Sequence, residues 1–416
     1  MNLRPHQSRA LEAMRDANKG KILIPTGGGK TLIAIRHCQE ILSRDTRNRV
    51  VIVVAPRILL ATQLCEEFIT GLNTADECVV GHVHSGETHH WSSTKADDIS
   101  AFTQLKDVLN CNVILFTTYH SLHRIVESGI DIDIMYCDEA HNATRKDFSI
   151  SVSDASKVAE KSFYFTATPR NTRDPHGTGM NNTAIFGNVL ITVAARELIE
   201  SGSIIPPTIV PCEVDGLRNK RFAAESDGET LINIIDQLDE SKSSKVLVAV
   251  PSSKVLWNMV TQYDTLDQLE RRGYEFLHIT SKHGAYVNKT KVNREQFFNT
   301  LNEYGKDPTK KFVLFHYSIL SEGMNVPGLT HCILLRNLPL IELAQTIGRV
   351  IRLDKRDSER ITNGSIPAGA CHFYHKPTGF VTVPVYKNHG KRAALKLQNV
   401  VNTIFKEGKP VEQLTN

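Results

Sequence analysis

The feature that most constrains this chain of 416 residues is a junction near its start. There the run Lys21-Ile22-Leu23-Ile24 meets Pro25-Thr26-Gly27-Gly28-Gly29-Lys30-Thr31 and then Leu32-Ile33-Ala34-Ile35. Three successive glycines cannot run through the interior of a helix or a strand without a large entropic cost. The segment therefore reads as an apolar strand, a tight loop and the start of a helix, which is the opening of an α/β unit. Backbone amides turned inward at such a helix N-terminus cradle phosphate oxygens, and the helix dipole favours their negative charge. Lys30 is placed to reach the outer phosphates, and Thr31 offers a hydroxyl to Mg²⁺. The full phosphate-loop pattern has one more Gly, where this chain has Ile24.

A second element, Asp138-Glu139-Ala140-His141, directly follows the apolar run Ile132 to Cys137. Two adjacent carboxylates at the end of a strand repel each other unless one binds a cation and the other serves as a base. The pairing predicts that Asp138 holds Mg²⁺ and that Glu139 orients and deprotonates a water. The same four letters could come from a solvated loop, but here they lie behind a phosphate loop and at the end of their own strand.

The chain is too long for one typical core and suits two. Hydrophobic residues at 41% and charged residues at 23% exclude a disordered or fibrous chain. Apolar runs such as Val50 to Pro56 fall far short of the roughly 20 residues that span a bilayer, so no membrane partner is expected. The start, Met1-Asn2-Leu3-Arg4-Pro5-His6-Gln7, lacks a secretory apolar core, which predicts a cytoplasmic protein. The 8 cysteines include no CxxC pair, and Cys137 and Cys332 sit in apolar runs as small buried hydrophobes. His82, His84, His89 and His90 crowd one region near Cys78 without a ligand spacing, so no metal is assigned to them.

Further strands are expected at Val50 to Ala55, Val113 to Phe116, Ser162 to Phe165, Lys245 to Val250, Glu275 to Ile279, Lys311 to His316 and His331 to Leu335. Their alternation with amphipathic stretches predicts parallel sheets with crossover helices. Ser201-Gly202-Ser203-Ile204-Ile205-Pro206-Pro207-Thr208 carries a Pro pair that neither a helix nor a central strand tolerates, so the boundary is placed there. The division is residues 1–203, a linker at 204–212, a second domain at 213–375 and a basic tail at 376–416. The tail carries seven Lys or Arg against two Glu. In it, Leu395, Leu397, Val400, Val401 and Ile404 fall at helical spacing. The lysines could contact phosphates, or the helix could pack its apolar face on a core while they face water.

With these two sites in hand, the chain resembles the superfamily 2 helicases, and the resemblance runs from residue 3 to 352. Arg4-Pro5-His6-Gln7 resembles the N-terminal motif whose Gln reads adenine. Ala55-Pro56-Arg57 resembles motif Ia, Phe116-Thr117-Thr118-Tyr119 motif Ib, and Thr166-Ala167-Thr168-Pro169 motif III. Val248-Ala249-Val250-Pro251-Ser252 is similar to motif IV, and Ser321-Glu322-Gly323-Met324-Asn325-Val326-Pro327 to motif V, with Asn325 where many members have Asp. Gln345-Thr346-Ile347-Gly348-Arg349-Val350-Ile351-Arg352 matches the QxxGRxxR of motif VI. The Leu3-Arg4-Pro5 start, the phosphate loop and the phrase from Phe186-Gly187 to Ser201-Gly202 place it with the restriction-subunit (ResIII), XPB and UvsW-like branch.

The resemblance implies an α/β fold of two RecA-like parallel-sheet domains in tandem with an inter-domain nucleotide cleft. It implies ATP and Mg²⁺ as cofactors. Arg4, Gln7, Thr26, Gly27, Gly28, Gly29, Lys30, Thr31, Gly323 and Asn325 would bind the nucleotide, with Thr31 and Asp138 on the metal. Lys30, Asp138, Glu139, His141, Gln345, Arg349 and Arg352 would carry hydrolysis, the two arginines three apart on one face of a helix or turn clamping γ-phosphate charge. Pro56, Arg57, Thr117, Thr118 and Ser252 would grip one nucleic-acid strand by its phosphates. Thr and Ser at such positions are also ordinary strand formers and caps. DNA, duplex, forked or single-stranded, is the implied partner, with RNA as the alternative. The activity implied is an ATP-dependent DNA helicase or translocase, and the alternatives are a nucleotide-switched remodelling motor without strand separation or an RNA helicase.

Overall fold

The computed structural model describes residues 3–44, 48–72, 78–215, 217–219, 221–238, 244–280, 282–317, 326–387, 391–406 and 413–415. The chain forms two compact units, Met1–Ala194 with Pro410–Asn416, and Ala195–Lys409.

The strands of the first unit are β1 (Lys19–Leu23), β2 (Val50–Ala55), β3 (Cys78–Val83), β4 (Trp91–Ser92), β5 (Asn112–Thr118), β6 (Ile132–Cys137), β7 (Ala159–Thr166), β8 (Arg170–Thr172) and β9 (Asn188–Thr192). All but β8 join one sheet in the order β4-β3-β5-β2-β6-β7-β1-β9, and every pairing in it is parallel. The central β2, Val-Val-Ile-Val-Val-Ala, is buried along its whole length, as a strand covered on both faces must be. Helices Pro5–Arg15 and Lys30–Arg44 flank this sheet's β1 in sequence.

The second unit holds β10 (Pro207–Glu213), β11 (Lys245–Ala249), β12 (Glu275–Thr280), β13 (Gly284–Val287), β14 (Thr290–Val292), β15 (Phe312–His316), β16 (His331–Leu334) and β17 (Gly379–Val385). Their order is β10-β17-β16-β11-β15-β12-β13-β14, parallel except for the antiparallel hairpin β13–β14 added at one edge. A last strand, β18 (Gln413–Thr415), pairs with β8 of the first unit. Both sheets sit in an α/β frame, as the alternating pattern predicts.

Three expectations need correction. Residues 204–212 are not a linker, because β10 spans most of them and pairs along its whole length with β17. An edge strand bonds on one side only, so it tolerates Pro207 and Pro211. Residues 376–416 are not simply a tail. Lys376 is buried, and β17 lies inside the second sheet. The helix Lys391–Val401 forms where its periodicity predicts, with Leu397, Val400 and Val401 buried, but Leu395 is 66% exposed.

Candidate nucleotide site and motor surface

Because all strands of the first sheet run the same way, the loops that follow β1, β2, β5, β6 and β7 leave from one edge. The order β6-β7-β1 places the glycine loop and the acidic loop on either side of β7, with strand ends about 10 Å apart. Thr166, the last residue of β7, ties the two together. Its carbonyl accepts the Ile24 N–H at 3.0 Å, and its hydroxyl lies 3.0 Å from His141 Nδ1. The same hydroxyl accepts the Thr168 N–H at 3.1 Å.

Gly27 and Gly29 adopt φ of 87° and 79°, conformations that favour glycine, so the loop turns as its sequence predicts. A Cβ at Gly29 would overlap Nε2 of Gln7. Gln7 is buried, with Oε1 accepting the Arg4 N–H at 2.9 Å and Nε2 donating to Gly28 O at 3.3 Å. His6, not singled out by sequence, is buried with Nε2 2.8 Å from the same carbonyl. The N-terminal helix thus braces the loop, and Gln7 keeps one N–H and one lone pair for a further partner. Lys30 opens the next helix, its Nζ donating to Ile24 O at 3.3 Å, and Thr26 and Thr31 are half-buried beside it.

Glu139 takes φ 43° and ψ 51°, a left-handed conformation costly for a non-glycine residue. Asn142, outside the four-letter motif, holds that turn by donating from Nδ2 to Glu139 O at 3.1 Å. Tyr119 donates its hydroxyl to Asp138 O at 2.7 Å. The Glu139 carboxylate is buried, and its Oε2 has no hydrogen-bond partner while lying 3.5 Å from His141 Nδ1. Burial, and then the neighbouring Glu139 charge, raises the Asp138 carboxyl to about 7, with the Lys30 ammonium opposing. A raised, half-buried carboxylate across β7 from the glycine loop and Lys30 suits a divalent cation shared with a phosphate ligand. Among the described residues no three His, Cys, Asp or Glu converge on a metal by themselves. Asp138 and Thr31 could therefore supply only part of a shell that phosphate and water complete.

In the second unit Gln345 and Arg349 lie four residues apart on the helix Leu340–Val350, both buried. Arg352 lies beyond the helix end, in a bridge with Ile204, so the two arginines do not share a helical face. Its carbonyl accepts from Lys376 Nζ at 2.8 Å. Burial lowers that ammonium to about 7. Sequence reasoning missed His316, fully buried at the end of β15, whose two ring nitrogens have no hydrogen-bond partner. Burial, and then the charges of Arg349 and Arg336, lowers it to about 3, so it is neutral at ordinary pH. Gly323 and Asn325 lie outside the described residues.

The expected nucleic-acid residues separate. Pro56 is half-buried and Arg57 exposed just past β2. Thr117 and Thr118 are buried, their hydroxyls donating to Val83 O at 2.9 Å and Ser121 Oγ at 3.4 Å, so they do not offer these groups to a strand. Ser252 caps the helix Ser253–Thr261 by accepting the Val255 N–H at 3.1 Å.

Comparison with known proteins adds a family to this geometry. Residues 1–171 match the family described as type III restriction enzyme, res subunit, and residues 228–354 match the helicase conserved C-terminal domain. The chain is 25% identical over 251 residues to the type I restriction enzyme SauCOLORF180P endonuclease subunit of Staphylococcus aureus strain COL, covering 57% of this chain and 24% of that protein. Its fold is like that of the ATP-dependent type ISP restriction-modification enzyme LlaBIII bound to DNA, with TM-score 0.71 and 15% identity over all of this chain and 31% of that one. It is also like Mss116p bound to ssRNA and AMP-PNP, with TM-score 0.58 and 16% identity, over all of this chain and 74% of that one. The chain thus spans about a quarter of the length of the curated relatives it matches. No helix among the described residues is long and apolar enough to cross a membrane.

Proposed function

The chain is a member of the ResIII branch of the superfamily 2 helicases, and from that premise we propose that it is an ATP-hydrolysing motor that moves on DNA. The observation that carries the reading is the Thr166 junction, which fixes the glycine loop and the acidic loop at one sheet edge. When bound, Mg²⁺-ATP would bring the phosphoanhydride whose cleavage drives the motion. Thr26, Gly27, Gly28, Gly29, Lys30 and Thr31 would hold its phosphates, and Asp138 with Thr31 its metal. Arg4 and Gln7 would face the base, within the capacity that Gln7 retains. Glu139 would take the proton of the attacking water, its unpartnered oxygen being the acceptor, and His141 would hold that carboxylate in place. Gln345, Arg349 and Arg352, which match motif VI, would stabilise the charge that develops during hydrolysis.

Thr166 bonds at once to the acidic loop and to the phosphate-loop strand, so a change at either is felt at the other. Arg57, at the same edge, would take a phosphate of the DNA strand. DNA is favoured over RNA because the restriction enzyme to which the fold is similar is DNA-bound. ATP hydrolysis measured against single-stranded, duplex and forked DNA and RNA, beside a strand-displacement assay, tests the reading. Stimulation by DNA above RNA is expected, and strand displacement separates unwinding from translocation alone. Turnover indifferent to every nucleic acid would contradict it.

A further inference from the structure

We propose that Trp257, His283 and Tyr286 form a stacking platform for the bases of a single DNA strand, with Lys254, Lys282, Lys291 and Arg294 supplying its phosphate contacts. This rests on the motor reading above and adds to it a specific surface on the second unit.

The Trp257 indole and His283 imidazole stack with centroids 4.0 Å apart and planes 4° apart. Tyr286 lies 5.8 Å from the indole and stacks on His278 at 4.8 Å and 12°. His278 is buried and its ring is driven down to about 4 by that burial, so it is a neutral base for the stack. Trp257, His283 and Tyr286 are each half-buried, packed on the protein while keeping surface in solvent. With one face of each ring held in a stack, the partly exposed remainder is the surface on which bases of any sequence would stack, as a motor moving along a strand requires.

The platform is fixed before any ligand arrives. His283 N–H donates to Thr280 Oγ1 at 3.0 Å, and Gly284 takes φ 86° to start the hairpin. At the hairpin tip Asn288 adopts φ 52°, donates its N–H to Phe276 O at 2.7 Å and accepts the Phe276 N–H on Oδ1 at 3.0 Å. Little ordering entropy remains to be lost on binding.

Its position suits the same use. Strands β11, β15 and β12 are parallel neighbours, so the loop after β12 leaves the edge from which Pro251 and Ser252 follow β11. Trp257 lies on the helix that Ser252 caps, and Lys254 precedes it by three residues on the same face. Lys291 sits opposite Tyr286 across the hairpin. Lys254, Lys282, Lys291 and Arg294 are all exposed. Lys289, by contrast, is engaged by Asp267 and Glu270 at 2.8 Å each. Exposed cations around aromatic faces are the chemistry of single-strand grooves, with phosphate contacts giving salt-dependent affinity and stacking holding the bases.

The chain has 2 tryptophans, Trp91 and Trp257, so the Trp91→Phe variant leaves Trp257 as the only indole. Titrating that full chain with oligothymidylate should quench its emission saturably, with the affinity falling as salt rises. Labelled-strand anisotropy should show Trp257→Ala raising Kd roughly tenfold, with Trp257→Phe keeping it within about threefold. Lys291→Glu, an exposed change that cannot unfold the hairpin core, should weaken binding and lower the salt slope by about 1. Binding that leaves the emission unchanged, with the same Kd in Trp257→Ala and Lys291→Glu, overturns the platform. If DNA still stimulates ATP hydrolysis in that case, the motor reading survives it. Quenching by DNA that never stimulates hydrolysis supports the platform and refutes the motor.

Discussion

The two units treat their buried polar residues differently. In the first, hydrogen bonds cross-link the two loops to their surroundings: Gln7 and His6 hold Gly28, Thr166 holds Ile24 and His141, and Asn142 holds Glu139, while Glu139 Oε2 and Thr168 Oγ1 are buried without a hydrogen bond. In the second, Gln345 Nε2 and both ring nitrogens of His316 are buried without a hydrogen bond around the helix that carries Arg349. Leaving such groups unmet costs free energy, so the second set suits a partner that arrives with the ligand. The first unit differs in the bonds that join its two loops through Thr166, which the proposed motor reading uses to hold a nucleotide.

That contrast can be broken most severely at Arg352. Replacing it with Ala should cut kcat by roughly a thousandfold or more while changing KM far less, read by steady-state hydrolysis. An unchanged kcat would remove Arg352 from the site. The cross-linked loops of the first unit make a different prediction for Thr166→Val. Loss of the hydroxyl removes one bond from His141 and one from the Thr168 N–H, and should cost about 1–3 kcal/mol of unfolding free energy as well as turnover. Denaturant titration of the variant checks it, and turnover lost at unchanged stability would mean the hydroxyl acts on the ligand instead.

The pH dependence sharpens the same contrast. Asp138 has its folded value raised above that of a free carboxyl, so its protonated form is the one the fold favours, and its contribution to stability falls as pH climbs from about 4 to about 7. A cation competes with that proton. Apparent Mg²⁺ affinity in the presence of nucleotide should therefore weaken by up to about tenfold per pH unit below 7 beyond the change the nucleotide's own phosphate contributes, and Asp138→Asn should leave only the latter. Titrations of Mg²⁺ at pH 6 and pH 8 decide it. The smallest effect is expected at Ser252→Ala, where loss of the cap should cost about 1 kcal/mol of stability. A large loss of DNA affinity there, without that cost, would make the hydroxyl a ligand group after all.

Much of this was legible in the sequence where both faces of a strand are buried. Val50–Ala55 matches its apolar run residue for residue, because burial on two faces leaves no polar residue to blur the ends, and Ile132–Cys137 matches its expected bounds although it carries Asp133, which accepts from Arg49 and the Val50 N–H. Edge elements were not legible. β10 carries two prolines and pairs with β17 far along the chain, and β13 and β14 are too short to show a period. In the site, the glycine loop and acidic pair announce themselves by local spacing. His6, Asn142 and His316 do not, since each matters only through a contact that folding creates. Thr117 and Thr118 show the converse, with letters that resemble a motif and hydroxyls engaged by Val83 O in the sheet and by Ser121 Oγ in the turn after it.

The most direct test of the account compares ATP binding and turnover in Glu139→Gln and Lys30→Ala. The account predicts that Glu139→Gln binds ATP within a few-fold of the parent yet turns over at least about a hundredfold more slowly, whereas Lys30→Ala loses binding itself. Equal loss of nucleotide in both, or unimpaired hydrolysis by Glu139→Gln, would contradict it.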